Sequence, residues 1–176
     1  MQRVVVVGSS GSGKSTLAAE LARRLGAPHV ELDALYWNPG WQAAPREQFR
    51  ARVDAALPST DRWVVDGNYK AVRDIVWMRA DTLIWLDYSL PLVFWQLVRR
   101  CLRRGITRVE LYNGNRERLW EHFCTRDSLL LYLLKTHHSR ARDFQAALLL
   151  PAYAHLAVHR FPGPGKARAW FDTVQA

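Results

Sequence analysis

Four consecutive valines, Val4–Val7, run without a break into Gly8-Ser9-Ser10-Gly11-Ser12-Gly13-Lys14-Ser15-Thr16. A β-branched run of this kind predicts a strand buried on both faces, the habit of parallel sheets. The glycines let the chain turn sharply and aim successive backbone N–H groups inward. Behind them Leu17, Leu21 and Leu25 mark one face of a helix that starts near Lys14 and that Gly26 ends. Strand, glycine-rich turn and helix N-terminus together make a cradle for phosphate. The residues satisfy G-x-x-x-x-G-K-[ST] in full, so Gly8, Ser9, Ser10, Gly11, Ser12, Gly13, Lys14, Ser15 and Thr16 are the predicted nucleotide-binding residues. Lys14 is the expected catalytic cation on the β- and γ-phosphates, and the Ser15 hydroxyl the expected ligand of Mg²⁺.

The rest of the chain alternates strands with helices. His29–Leu32, Trp63–Asp66, Thr82–Leu86 and Leu156–Phe161 read as strands. Phe49, Val53 and Leu57 form a helix stripe behind Pro45, and a short helix is predicted at about 70–78. Another helix runs from Pro91 to Arg104, with Gly105 as its stop. Two or three helices fill 117–149, and a last one ends near Thr173. This is an α/β pattern with a parallel sheet. The 176 residues predict a single domain, with a basic, helical, lid-like insertion at about 105–145.

Three of these strands end in an acid, and in open α/β sheets ligands bind at the carboxyl ends of strands. Asp66 closes the apolar run Trp63-Val64-Val65 and is the expected second metal residue, holding Mg²⁺ through water. Asp33 is the candidate that orients or deprotonates an acceptor hydroxyl. Asp87 is a weaker alternative to Asp66. Tyr36 and Trp37 after Asp33, and Asn68 and Tyr69 after Asp66, are candidate walls of an acceptor site.

The net charge is +9, and residues 99–142 alone hold eleven basic and four acidic side chains. Arg99/Arg103 and Arg100/Arg104 each share a helix face, an unfavourable arrangement unless an anion lies near. Arg100 and Arg104 lie off the centre of the apolar face and are the preferred pair. Arg140, with Lys135 and Arg142, is expected to close over phosphate from a later helix and exclude water. His122, His137 and His138 have no metal-ligand spacing and read as surface or packing residues. Two cysteines form no disulfide framework, which fits a reducing cytosol. The longest apolar run, Leu129–Leu134, is far short of the roughly 20 residues of a membrane span, and the N-terminus lacks a signal-peptide core.

The segments GSSGSGKST, ELDALYW, WVVDGNY, ADTLIWLDYSLP, the RRCLRR helix and LYNGNRE resemble, over essentially the whole chain, the adenylate-kinase-related P-loop proteins also called "DNA topology modulation protein" or adenylate kinase-like. The resemblance implies a three-layer P-loop NTPase fold of the nucleoside-monophosphate-kinase kind. Its five-stranded parallel sheet has the order 2-3-1-4-5, with an acceptor region after strand two and a lid after the strand-four helix. It matches Asp66 to the magnesium-linked Asp. Lys70 and Arg73 are the nearest cations to replace an Arg missing from the DGNY segment.

These readings converge on an ATP- and Mg²⁺-dependent phosphotransferase acting on a nucleoside or nucleotide. A P-loop ATPase or nucleotide-dependent switch, with or without nucleic-acid binding, and a small-metabolite kinase stay open as alternatives. Nucleic acid is not the favoured partner, no membrane partner is expected, and the chain is read as a monomer or homodimer.

Overall fold

The computed structural model describes residues 1–57, 62–107, 110–115 and 128–174. Its centre is β1 (Arg3–Gly8), the valine run, with Val4 and Val6 in one core and Val5 and Val7 in the other. A strand apolar on every residue is what two covered faces require. β2 (His29–Glu31) and β5 (Trp63–Asp66) lie to one side of it, β6 (Thr82–Leu86) and β7 (Ala157–Phe161) to the other. All pairings are parallel and the order is β2-β5-β1-β6-β7, the predicted 2-3-1-4-5 arrangement once the hairpin strands are set aside.

One face is covered by α1 (Lys14–Leu25), α5 (Leu90–Thr107) and α7 (Pro164–Thr173), the other by α3 (Arg46–Ala56) and α4 (Arg73–Arg79). α1 buries Leu21 and Leu25 and ends on Gly26, whose φ of 59° only glycine adopts readily. α6 (Leu129–Leu148) contributes to both cores, Leu130 and Leu133 to the first, Phe144 and Ala147 to the second.

Several boundaries differ from the sequence reading. β2 stops at Glu31, and Leu32–Tyr36 forms a one-turn helix, α2, so Asp33 lies in a helical first turn instead of closing a strand. The aromatic stretch that follows is a small antiparallel hairpin, β3 (Trp37–Asn38) and β4 (Gln42–Ala43). Gly105 does not stop α5, which continues to Thr107. Glycine costs only about 1 kcal/mol inside a helix, so it need not end one. The helices expected within 117–127 lie outside the described residues. Leu129–Leu134 is neither wholly buried nor wholly free: Leu130 and Leu133 are core, while Leu131, Tyr132 and Leu134 are exposed. No helix among the described residues is long and apolar enough to cross a membrane.

Candidate functional site

The loop between β1 and α1 lies at the carboxyl edge of the central strand. Its turn is closed by the Ser12 N–H donating to the Ser9 carbonyl at 3.0 Å. Gly11 has φ 87°, and a Cβ there would stand 2.7 Å from the Val93 carbonyl and 2.9 Å from Leu97 of α5. Glycine is therefore needed both for the backbone angle and for the close approach of α5. α1 has no acid of its own in its first turn, so the positive end of its dipole is left to groups from outside the helix. Lys14, only 9% exposed, lies at that same end, and no ion pair involves it among the described residues. A buried ammonium on a helix N-terminus is an arrangement that an anion stabilises.

Ser15 and Asp66 are brought together as the sequence predicts. The Ser15 hydroxyl donates to Asp66 Oδ2 at 2.6 Å, and Asp66 is 2% exposed. A hydroxyl and one carboxylate beside a phosphate cradle suit Mg²⁺, which keeps waters and takes few protein ligands. Among the described residues no group of three or more His, Cys, Asp or Glu offers an all-protein metal cage.

The second oxygen of Asp66 holds His29 Nε2 at 2.9 Å, a contact the sequence reading missed. Its only signal was a polar residue opening an otherwise apolar strand. The hydrogen bond to Asp66 raises the His29 pKa above 6.5 against the opposing effect of burial, and the charges of Asp66 and Glu31 add to the rise. With the folded value above the unfolded one, the stabilisation is whole below about pH 6.5 and fades as pH rises through the raised value. In metal-free buffer the unfolding free energy of wild type minus that of His29→Gln is expected to be largest below about pH 6.5 and to shrink as the pH is raised above it. Urea titrations check this, and a gap independent of pH contradicts it.

Asn68, expected on the acceptor wall, instead clamps the P-loop. Its Oδ1 accepts the Gly8 N–H at 3.1 Å, and its Nδ2 donates to the Gly8 carbonyl. Tyr69 meets the other candidate acceptor residue: its hydroxyl donates to Asp33 Oδ1 at 2.6 Å. Its ring packs 4.6 Å from Tyr36 and 5.0 Å from Phe49, and Tyr36 in turn meets Trp37 edge-on at 4.9 Å. Tyr36 and Trp37 thus build the aromatic wall on which Asp33 stands. Burial and the Asp33 carboxylate push the Tyr69 phenol far above its ordinary pKa, so it remains a donor.

Residues 110–115, which the sequence reading placed within the insertion at about 105–145, complete this wall. The Tyr112 hydroxyl donates to Glu31 Oε2 at 2.9 Å. Asn113 Nδ2 donates to the Trp37 carbonyl at 2.6 Å, and Asn115 bridges the hairpin through the Asn38 carbonyl and the Trp41 N–H. Spacing gave no sign of contacts nearly 80 residues apart.

The arginines divide. Arg100 is half-buried on α5, and its Nε is buried with no hydrogen-bond partner, as are Gln96 Oε1 one turn earlier and Ser12 Oγ in the P-loop. Unsatisfied buried polar atoms call for a ligand or water, and Ser12 Oγ lies in the phosphate cradle itself. Arg104 is half-buried on the last turns of α5. Arg140 is turned along its own helix, donating to the Tyr132 hydroxyl at 2.8 Å. Lys70 and Arg73 both pair with Asp143, and Asp87, the weaker alternative to Asp66, is bound by Arg160. Of the surface and packing roles expected for it, His137 takes packing: it is buried, with Nδ1 3.0 Å from Ser9 Oγ.

In overall structure the chain is similar to a gluconokinase from Sinorhizobium meliloti 1021, at 20% identity and TM-score 0.51 over 98% of each chain. It is similar to a shikimate kinase from Acinetobacter baumannii in complex with shikimate, at 17% identity and TM-score 0.52 over 98% of this chain and 89% of that one. A shikimate kinase from Bacteroides thetaiotaomicron aligns at 16% identity and TM-score 0.55 over 97% and 94%. At these identities the likeness concerns the fold. No curated protein sequence matches. The family model AAA_33, described as "AAA domain", matches residues 4–109, from β1 to beyond the end of α5 and including every P-loop residue together with Asp33 and Asp66. The chain belongs to the AAA_33 family of AAA domains.

Proposed function

We propose that the chain is an ATP- and Mg²⁺-dependent phosphotransferase of the adenylate kinase-like group, acting on a small hydroxyl-bearing acceptor in the cytosol. The observation that carries this reading is the meeting of Lys14, Ser15 and Asp66 at one edge of the sheet, with Asp33 held by Tyr69 on the neighbouring wall. Donor and acceptor machinery then share a cleft, which a hydrolase does not need. The named structural neighbours, a gluconokinase and shikimate kinases, support the reading through their fold.

In this reading the P-loop amides and Lys14 hold the β- and γ-phosphates and stabilise charge on the phosphoryl group in flight. Ser15 and Asp66 are the residues that would hold Mg²⁺, which would supply charge neutralisation to the phosphates. Asp33 orients the acceptor hydroxyl or takes its proton, and Tyr69 fixes the Asp33 carboxylate. Arg100 adds a cation from α5.

The acceptor is best read as carrying no phosphate of its own. Among the described residues the cations near its wall are engaged: Arg50 with Asp74, Arg52 with the Leu35 carbonyl and Asn38, Lys70 and Arg73 with Asp143. That favours a nucleoside or small polyol over a nucleotide.

The test is ADP release from Mg-ATP, alone and with nucleosides, nucleoside monophosphates and small hydroxyl metabolites. One acceptor should stimulate release strongly and become phosphorylated. Steady hydrolysis that ignores every acceptor would replace the kinase reading with a nucleotide-driven switch.

A further inference from the structure

α6 turns five buried residues inward: Leu130, Leu133, His137, Phe144 and Ala147. The first two end in the core with α1 and α5, and the last two in the core on the opposite face of the sheet. α6 therefore passes from one face to the other, and His137 is the inward residue between. It is the one polar member of an otherwise apolar stripe, and it meets the P-loop, with Nδ1 3.0 Å from Ser9 Oγ and 8% exposure.

The far end of α6 is tied to the loop after β5. Asp143 pairs with Lys70 at 2.6 Å and with Arg73. That loop carries Asn68, which clamps Gly8. The first two P-loop residues are thus gripped from two directions by one connected set of contacts. A leucine at position 137 would continue the stripe, but it would leave the buried Ser9 hydroxyl without this partner.

We propose that His137 is a positioning residue for the donor nucleotide, acting through the Ser9 side chain to hold the P-loop turn in its phosphate-binding shape. This rests on the nucleotide-binding reading given above. Ser9 is also the residue whose carbonyl closes the turn by accepting the Ser12 N–H. Fixing it in advance removes ordering that nucleotide binding must otherwise supply.

The experiment is calorimetric titration of Mg-ADP into wild type, His137→Leu, His137→Asn, His137→Gln, Ser9→Ala and the Ser9→Ala/His137→Leu double variant, with thermal unfolding of each. An Asn amide places a polar atom where Nδ1 stands, whereas Gln places one nearer Nε2. His137→Leu and His137→Gln should each weaken Mg-ADP about tenfold, the effect of one buried hydrogen bond. His137→Asn should keep most of the affinity. Ser9→Ala should lose about as much as His137→Leu, and the double variant no more than either, because the same bond is lost. A purely structural histidine predicts affinities that follow the unfolding temperatures, with Asn no better than Gln. That result overturns the proposal, as does unchanged affinity in His137→Leu or losses that multiply in the double variant. Should His137→Leu fail to fold, the contrast between Asn and Gln decides alone. Wild type that binds no Mg-ADP would overturn the nucleotide reading, and this proposal with it, whereas tight wild-type binding indifferent to position 137 overturns this proposal only.

Discussion

Lys14→Ala is expected to slow phosphoryl transfer by about 10³-fold while leaving the unfolding temperature unchanged or slightly raised. The rate loss corresponds to about 4 kcal/mol of transition-state stabilisation, the scale of one fixed charge aimed at a moving phosphoryl group in a site shielded from water. The stability forecast comes from the apo structure. Lys14 opens α1, whose first turn has no acid and whose dipole leaves about half a positive charge at that end. Lys14 is 9% exposed and belongs to no ion pair among the described residues, the nearby Asp66 carboxylate being taken by Ser15 and His29, so the protein gains little by holding the ammonium there. Alanine is the best helix former and removes the repulsion. Rate and unfolding temperature measured on one preparation separate the two outcomes. A large drop in stability with a small drop in rate would make Lys14 a packing element, and the site assignment would fall with it.

What the sequence disclosed and what it hid follow from the range of the interactions concerned. The P-loop, the two-faced valine strand and the apolar strand ending at Asp66 are encoded by neighbouring residues, so each was readable locally. The strand order came from resemblance, because parallel pairings join segments far apart in the chain. Asp66 and Ser15 were legible as a pair because strand-end chemistry fixes where they meet. His29 was not, because a three-residue strand gives too little periodicity to say which way its side chains point. Asn68 was assigned to the right rim and the wrong partner: its amide satisfies the Gly8 backbone, a demand visible only once the loop is folded. Tyr112, Asn113 and Asn115 show the same limit. Sequence put them in the insertion, but their docking on Glu31, Trp37 and Asn38 depends on how α5 directs the chain. For His137 surface and packing both stayed open, because the segment 117–149 read as two or three helices; in one long helix the spacing of Leu130, Leu133, Phe144 and Ala147 puts it in their stripe.

Asp66→Asn should remove the magnesium dependence of nucleotide binding and slow transfer by about 10²–10³-fold, without weakening metal-free ADP binding. Two donors converge on this carboxylate, the Ser15 hydroxyl at 2.6 Å and His29 Nε2 at 2.9 Å. Asparagine keeps the shape and one acceptor oxygen, but its NH₂ group must face one of those donors. With Asp66 only 2% exposed, that mismatch should lower stability by about 1–3 kcal/mol. Nucleotide affinity should move differently. Without metal, a carboxylate beside the phosphates repels them, so its neutralisation leaves ADP binding equal or tighter. With Mg²⁺, wild type gains affinity because Asp66 helps hold the cation against the phosphates, and the variant forgoes that gain. Titrations of ADP in Mg²⁺ and in chelator, on both proteins, give four affinities whose cross-difference isolates the metal's share from any general loosening. If wild type and Asp66→Asn respond equally to Mg²⁺, Asp66 serves only to tie β2, β5 and α1 together through His29 and Ser15. The metal assignment would then have to move away from this strand.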